Sequence, residues 1–238
     1  MCRALRMTTV SDPRPIGAAL PNWAPPVRPG PAVMQGDYVQ LEQLHPARHG
    51  PALFRTMAQV DRVWTYLPKA TFVQEEVFIA HLAEITADPA KHVFYAITPE
   101  GFCEPQGFFS YYTIQPEAGA IELGYVALGP AMQRSRAATE ATFLMMDWAF
   151  AAGYRRFEWK CDALNAPSRK AAARFGFAFE GVFRQATVVK GRNRDTAWYS
   201  VLDTEWPPLR VAFTDWLAAE NFDAAGQQRR SLSALTGG

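Results

Sequence analysis

The stretch Ile121-Glu122-Leu123-Gly124-Tyr125-Val126-Ala127-Leu128-Gly129-Pro130-Ala131-Met132-Gln133-Arg134-Ser135-Arg136-Ala137-Ala138-Thr139-Glu140 decides how this chain is read. It reads as a buried strand, a short loop that offers bare backbone amides, and the first turn of a helix. Such a loop is an anion site, because the first N–H groups of a helix have no internal partner and the helix dipole favours negative charge there. The helix is expected over Ala137–Ala152, with Ala137, Ala141, Leu144, Met145 and Trp148 as its apolar stripe and Gly153 as its stop.

Working outward, His92–Thr98 and Gln106–Ile114 are aromatic and β-rich, and Pro99-Glu100-Gly101 between them suggests a hairpin that Ala120–Leu128 extends as a third strand. Tyr38–Leu44 alternates as a first strand. Two helical stretches follow it, Pro46–Val60 and Gln74–Ala87, separated by Trp64, Tyr66 and Pro68. On the other side, Phe157, Trp159 and Cys161 alternate with Arg156, Glu158 and Lys160, which is a strand. Asn165 caps the next helix and Gly176 ends it. Strands Phe177–Val188 and Thr196–Leu202 are joined through Lys190-Gly191-Arg192-Asn193, and a closing helix carries Leu209, Phe213, Trp216 and Leu217 on one side. The order predicts an α+β, or mixed α/β, sheet with helices on both faces.

Residues 1–37 stand apart. Pro13, Pro15, Pro21, Pro25, Pro26, Pro29 and Pro31 crowd there, so the segment is expected neither to ladder into a sheet nor to sustain a helix. It reads as an extended arm that Trp23 could pin, or as a disordered tail. The folded domain is expected over 38–203, and 204–238 as a C-terminal helix and tail packed on or trailing from it.

Composition is that of a globular protein, 49% hydrophobic, 20% charged and 13% aromatic. A formal net charge of +1 gives no field that argues for nucleic acid, membrane or acidic partners. Cys2, Cys103 and Cys161 form no CxxC pair, which fits a reducing, cytoplasmic setting. His45, His49, His81 and His92 make no HExxH motif, and no metal is expected; the His45/His49 pair reads as a solvated loop or helix start. The N-terminus lacks the apolar run of roughly 7–15 residues of a secretory signal, and no segment is long enough to span a bilayer.

Four features combine: the strand Ile121–Tyr125, the loop Gln133-Arg134-Ser135-Arg136-Ala137-Ala138, the segment Asn165-Ala166-Pro167-Ser168, and Phe175-Gly176-Phe177. Together they resemble acetyl-coenzyme A binding in the GNAT N-acetyltransferase superfamily, over roughly Tyr38–Asp203. By motif the chain is similar to the Rim-type acetyltransferases that modify ribosomal-protein N-termini. The resemblance implies the GNAT fold, a mostly antiparallel sheet of about seven strands with helices on both faces. The coenzyme then enters between the fourth and fifth strands.

The resemblance also implies roles. The family loop is Q/R-x-x-G-x-G/A, so Gln133 and the amides of Arg134, Ser135, Arg136, Ala137, Ala138 and Thr139 would hold the pyrophosphate. Val126, Ala127 and Leu128 would run beside the pantetheine. Asn165 would contact that arm too, and Ser168 would donate a proton to the leaving thiolate; alone, these two read as an N-cap and a first-turn residue. Arg136 stands where the family has glycine. Its guanidinium is expected toward the adenosine end, where it could pair with phosphate, or out in solvent. The oxyanion donor maps to an amide near Tyr125 or Val126, beside a bulge that Gly124 would suit. The Rim-type glutamate, counted from Glu180-Gly181, falls on Thr187, which cannot be a base at neutral pH. Glu122 is the substitute, with a pKa raised by burial, its alternative being a structural hydrogen-bonder.

Transfer of acetyl to a primary amine in a ternary complex is therefore expected, the acceptor being a peptide N-terminus or a small amine and the protein a monomer or homodimer. A non-catalytic acyl-coenzyme A-binding module is the other reading, supported by Arg136 and Thr187. Tyr111, Tyr112, Trp64, Tyr66, Phe108 and Phe109 lie on the acceptor side and read mostly as core. Arg184, Lys190, Arg192 and Arg194 read as a solvated hairpin or an acidic-acceptor site.

Overall fold

The β-branched and aromatic runs form strands β1 (Val33–Gln35), β2 (Val39–Gln43), β3 (Val93–Pro99), β4 (Gly107–Gln115), β5 (Ala120–Leu128), β6 (Arg156–Asp162), β7 (Ala178–Val189) and β8 (Arg192–Leu202). The helices are α1 (Pro46–Leu53), α2 (Asp61–Trp64), α3 (Glu75–Thr86), α4 (Arg136–Ala151), α5 (Ala166–Arg174), α6 (Trp206–Leu217) and α7 (Leu232–Thr236). The computed structural model describes residues 14–238; Cys2, Pro13 and the beginning of the expected arm lie outside them.

All eight strands share one sheet, in the order β1-β2-β3-β4-β5-β6-β8-β7, with every pair antiparallel except β5 and β6. Helices cover both faces, so the central strands are apolar on both sides instead of alternating. On β3, Tyr95 and Ile97 join the core under α4 and α6, while Phe94 and Ala96 meet α1 and α3. On β4, Phe109 and Tyr111 face the first layer and Phe108 the second.

Two expectations need correction. The helix expected over Pro46–Val60 breaks into α1 and a π-helical turn, Phe54–Ala58. Pro51 lies inside α1, where it can donate no i→i−4 hydrogen bond. The Pro-rich segment does ladder, at its proline-free end: β1 pairs Val33 with Glu42 and Gln35 with Gln40. Residues other than Trp23 hold this segment. Pro26 and Pro29 are buried, and the Tyr95 hydroxyl donates to the Pro31 carbonyl at 3.0 Å.

Two contacts fasten α4 to chain distant in sequence. Buried Glu140 accepts the amides of Asp37 at 3.0 Å and Tyr38 at 2.6 Å, which ties β2's entry to the helix. Arg136 does not go to the adenosine end or to solvent, as expected from the sequence. Its guanidinium lies between the rings of Tyr38 and Phe222, 3.7 and 3.9 Å from their centroids, and donates to the Leu217 carbonyl at the end of α6. A flat, weakly hydrated cation between two rings is a favourable packing unit.

Arg136→Ala is therefore expected to act on stability, lowering it by about 1.5–3 kcal/mol, the range for a hydrogen bond to a charged group. For a chain of this size that is roughly 2–4 °C in the unfolding midpoint per kcal/mol. Calorimetric unfolding of the variant checks it; an unchanged midpoint would mean that the clamp carries no net energy.

Candidate active site

The site is a fork in the sheet. Strands β5 and β6 pair over only four residues, from Ala120 with Arg156 to Leu123 with Trp159. Beyond that point β5 continues to Leu128 along β4, while β6 continues to Asp162 along β8. The inner edge of β5 past Leu123 thus has no strand partner.

Its backbone direction follows from the ladder. The Gly129 amide donates to Gln106 at the end of β4, 2.8 Å away. Directions alternate along a strand, so Ala127 also faces β4 and pairs with Phe108 there. Val126 and Leu128 then face the opening. Ala127 is turned the other way from the expected cofactor contact, and its side chain is buried in the α1–α3 core.

A bulge sits in the fork. Ser110 pairs with Gly124 and Phe108 with Ala127, so Tyr125 and Val126 lie opposite the single residue Phe109. The positive φ of the bulge falls on Tyr125, at +49°, one residue past the Gly124 that the sequence suggested would suit it. Gly124 serves a different need: a Cβ there would lie 2.5 Å from Cβ of Tyr112, which crosses over it.

At the mouth of the fork, Arg134 takes φ +60° and turns the chain into α4. Three of the amides expected to face a phosphate are used internally. Ser135 N–H donates to Met132, Ser135 Oγ accepts from Ala138 N–H at 3.0 Å, and Thr139, in the second turn, has its N–H within the helical ladder. Thr139 Oγ1 is also occupied, by Arg174 at 3.1 Å. Arg134, Arg136 and Ala137 remain as the open donors. Gln133 Nε2 donates to the Leu128 carbonyl at 3.0 Å, tying the loop to β5. Because the Arg136 side chain leaves toward Tyr38 and Phe222, it leaves the loop's backbone uncovered. This loop and the open edge of β5 fit an extended thioester carrier ending in a pyrophosphate.

Asn165 and Ser168 stand on the other arm. Asn165 caps α5 by accepting the Ser168 amide at 3.2 Å. Ser168 Oγ accepts from Trp159 Nε1 at 3.0 Å, which anchors it at the last β5–β6 pair, and its hydroxyl also lies within hydrogen-bonding reach of the Cys161 thiol.

Glu122 lies one residue before the parting, on the face covered by α1–α3. It is buried, and its Oε2 accepts from Thr113 Oγ1 at 3.0 Å and Lys160 Nζ at 2.9 Å. Burial raises its pKa, with Lys160 and Thr113 opposing. Lys160 also bonds Glu158 at 2.8 Å and lies 4.1 Å over the Trp198 ring. Beyond it, Arg156 joins Glu158 at 2.7 Å and forks onto Glu180 at 2.7 and 2.5 Å. That fork holds the Glu180 carboxyl down to about 2. Thr187 is exposed on β7 opposite Arg194, with no basic group of its own.

Three residues near the site make contacts that the sequence did not show. Lys160 was legible only as the polar side of a strand, since its meeting with Glu122 depends on cross-strand register. Lys190, read as part of a solvated hairpin or an acidic-acceptor site, donates to the carbonyls of Trp64 at 2.8 Å and Thr65 at 3.0 Å. With the Tyr66 hydroxyl donating to Leu164 at 3.2 Å, it carries the α2 segment across to the hairpin and the β6–α5 loop. His81, inside α3, bonds the Tyr125 hydroxyl at 2.8 Å. His45 and His49 do make a helix start, and His49 is buried.

Known proteins share this fold. The family model described as Acetyltransferase (GNAT) domain matches residues 39–178. A GCN5-related N-acetyltransferase from Brucella melitensis is 43% identical, over 92% of this chain and 100% of that one, with a TM-score of 0.88. A probable acetyltransferase (GNAT family) from Chromobacterium violaceum is 44% identical over 81% and 97%, with a TM-score of 0.77. The ribosomal L7/L12 α-N-protein acetyltransferase RimL, in complex with coenzyme A, is similar in fold at 22% identity over 71% and 97%, with a TM-score of 0.62. No curated protein matches the sequence. Among the described residues no helix is long and apolar enough to cross a membrane. The match over most of the folded chain and the identity to the first two structures make this protein a member of the GNAT acetyltransferase family.

Proposed function

We propose that the protein transfers acetyl from acetyl-coenzyme A to a primary amine by direct attack within a ternary complex. The observation that carries this is the β5–β6 fork, with amide donors at its mouth, a bulge on one arm and Ser168 on the other. Bound acetyl-coenzyme A supplies an activated thioester carbonyl and a thiolate leaving group. The open amides of Arg134, Arg136 and Ala137, with Gln133, hold the pyrophosphate; Val126 and Leu128 align the pantetheine beside β5. The Val126 amide, next to the bulge, is aimed at the carbonyl oxygen as charge develops there.

Glu122 accepts the amine's proton, directly or through water. Both bonds it makes within the chain go to Oε2, which leaves Oε1 to take the proton. As the new C–N bond forms and the C–S bond breaks, Ser168 passes a proton to the departing sulfur and takes one back from solvent. The acceptor is a peptide N-terminus or a small amine. Arg136 argued for a binding module without catalysis; its packing against Tyr38 and Phe222 gives it another reason to be there and weakens that argument.

Isothermal calorimetry is expected to give saturable binding of coenzyme A, altered no more than about twofold by Arg136→Ala, since that side chain points away. No binding at millimolar coenzyme A would overturn the reading. Acetyl transfer is then sought with acetyl-coenzyme A and a panel of amines and peptides, read by mass spectrometry.

Ser168→Ala should lower turnover by about 10²-fold, the lower end for general acid catalysis, with coenzyme A affinity nearly unchanged. Turnover at the wild-type rate, where chemistry is limiting, would return Ser168 to the role of a first-turn residue.

The pH profile reports on Glu122. The base works ionised, so the rate should fall as pH drops through a folded-state pKa that burial has raised above the ordinary carboxylate value. Glu122→Gln should remove that acid limb. A variant profile with its acid limb intact would assign the limb to the amine or another group.

A further inference from the structure

We propose that His81 is a positioning residue for acetyl transfer: by its hydrogen bond to the Tyr125 hydroxyl it holds the bulge of β5, and with it the Val126 amide, in the geometry that polarises the acetyl carbonyl. The inference rests on the acetyl-transfer reading above.

The argument starts from the backbone. Tyr125 is a non-glycine residue at φ +49°, a conformation that is unfavourable for an L-residue and must be held by its surroundings. The ladder on either side does not do this, because it resumes only at Gly124 and Ala127. The side chain does. The Tyr125 ring stacks on Phe108 at 5.8 Å and meets Phe94 edge-on at 5.6 Å. Those contacts let a ring slide; the hydroxyl, bonded to His81 Nε2 at 2.8 Å, fixes its end.

His81 is itself immobilised. It is buried in the middle of α3, stacks on Phe72 at 5.2 Å and meets Trp64 edge-on at 6.5 Å. Its other nitrogen, Nδ1, is buried and lies 3.6 Å from Glu84 Oε2. Burial lowers the pKa of the ring, with Glu84 raising it and Lys69 lowering it, which favours the neutral form. A neutral imidazole can accept the tyrosine proton at Nε2 while Nδ1–H points toward Glu84. Burying two polar side chains in an aromatic core is unfavourable without mutual satisfaction, and a leucine–phenylalanine pair would pack there more simply. What the polar pair adds is direction, and the direction is delivered to the bulge.

The test uses His81→Leu, Tyr125→Phe, the double variant and His81→Gln, which keeps a polar group near Nε2. Acetyl-coenzyme A labelled with ¹³C at its carbonyl is bound to each, and the carbonyl stretch is read by isotope-edited infrared spectroscopy beside coenzyme A affinity, melting temperature and turnover. In the wild type the stretch is expected to move to lower wavenumber on binding. The two single variants should each lose much of that shift and about 10-fold in kcat, less than the 10²–10³ of a donor removed outright, with affinity within twofold. The double variant should be no worse than either single one, since both break the same unit. His81→Gln should recover a good part of both losses.

Tyr125→Phe removes one hydroxyl and keeps the ring, so it keeps the test decisive if His81→Leu does not fold. A wild-type shift retained in Tyr125→Phe, with only the melting temperature lowered, would make the pair a core hydrogen bond and overturn the inference while leaving acetyl transfer intact. Absence of acetyl-coenzyme A binding by the wild type would overturn both.

Discussion

The parting of β5 from β6 is the constraint on which the rest depends. A parallel pair needs a crossover, which α4 supplies. The two strands hold each other for four residues and are then each held by an antiparallel neighbour, β4 on one side and β8 on the other. The fork is therefore stable without being closed. Its inner edge keeps backbone groups that a sheet would normally pair, and an unpaired edge in a partly buried cleft favours an occupant that can pair with it. The start of α4 lies at the mouth because the crossover begins there. Ser168 lies at the apex because Trp159, the last paired residue of β6, bonds it.

A second consequence runs along the face of the sheet under that apex. Glu122, Glu158 and Glu180 share two cations, Lys160 and Arg156. Five groups carry one more negative charge than positive, and geometry decides which carboxylate holds its proton most strongly. Glu180 meets the Arg156 guanidinium bidentately and accepts from Ser200 as well, so it stays ionised far into acid. Glu122 shares the single ammonium of Lys160 with Glu158 and is much more buried than Glu180. The surplus proton affinity thus falls at the inner end of the row, beside the fork. Such a buried ion pair is a poor source of stability and a reasonable means of placing a poised carboxylate.

Much of the fold was legible in the sequence because it rests on local rules. The strand, loop and helix from Ile121 onward, the Asn165 cap, and the apolar side of α6 follow from periodicity and capping. The turn from the loop into α4 was legible as well, but not that Ser135, Ala138 and Thr139 use their amides internally. The rest depends on contacts between residues far apart. Arg136 read as a phosphate or solvent residue because nothing local shows that Tyr38 and Phe222 converge on it. Lys160 and Glu122 meet only through the β5–β6 register, and His81 looked like any histidine in a helix until the bulge turned Tyr125 toward it. Thr187 shows the limit of counting along a motif: β7 carries bulges between Phe179 and Gly181 and between Phe183 and Thr187, so spacing there does not fix a face.

Tyr125 gives the site a property that neither strand pairing nor the family loop would. Glycine at the bulge would relieve the backbone at no steric cost, yet the chain puts glycine one residue earlier, where Tyr112 crosses, and leaves the strain on a tyrosine. The exchange has a physical return. The backbone after Tyr125 turns toward the open edge of β5, while the Tyr125 ring packs in the α1–α3 core. There, with Tyr112, Phe94, His92 and Glu84, it lines a cavity of about 260 Å³. The hydrogen bond of the ring's hydroxyl to His81 and the packing on Phe108 and Phe94 hold the backbone at that φ, a hold that a glycine, with no side chain, could not provide.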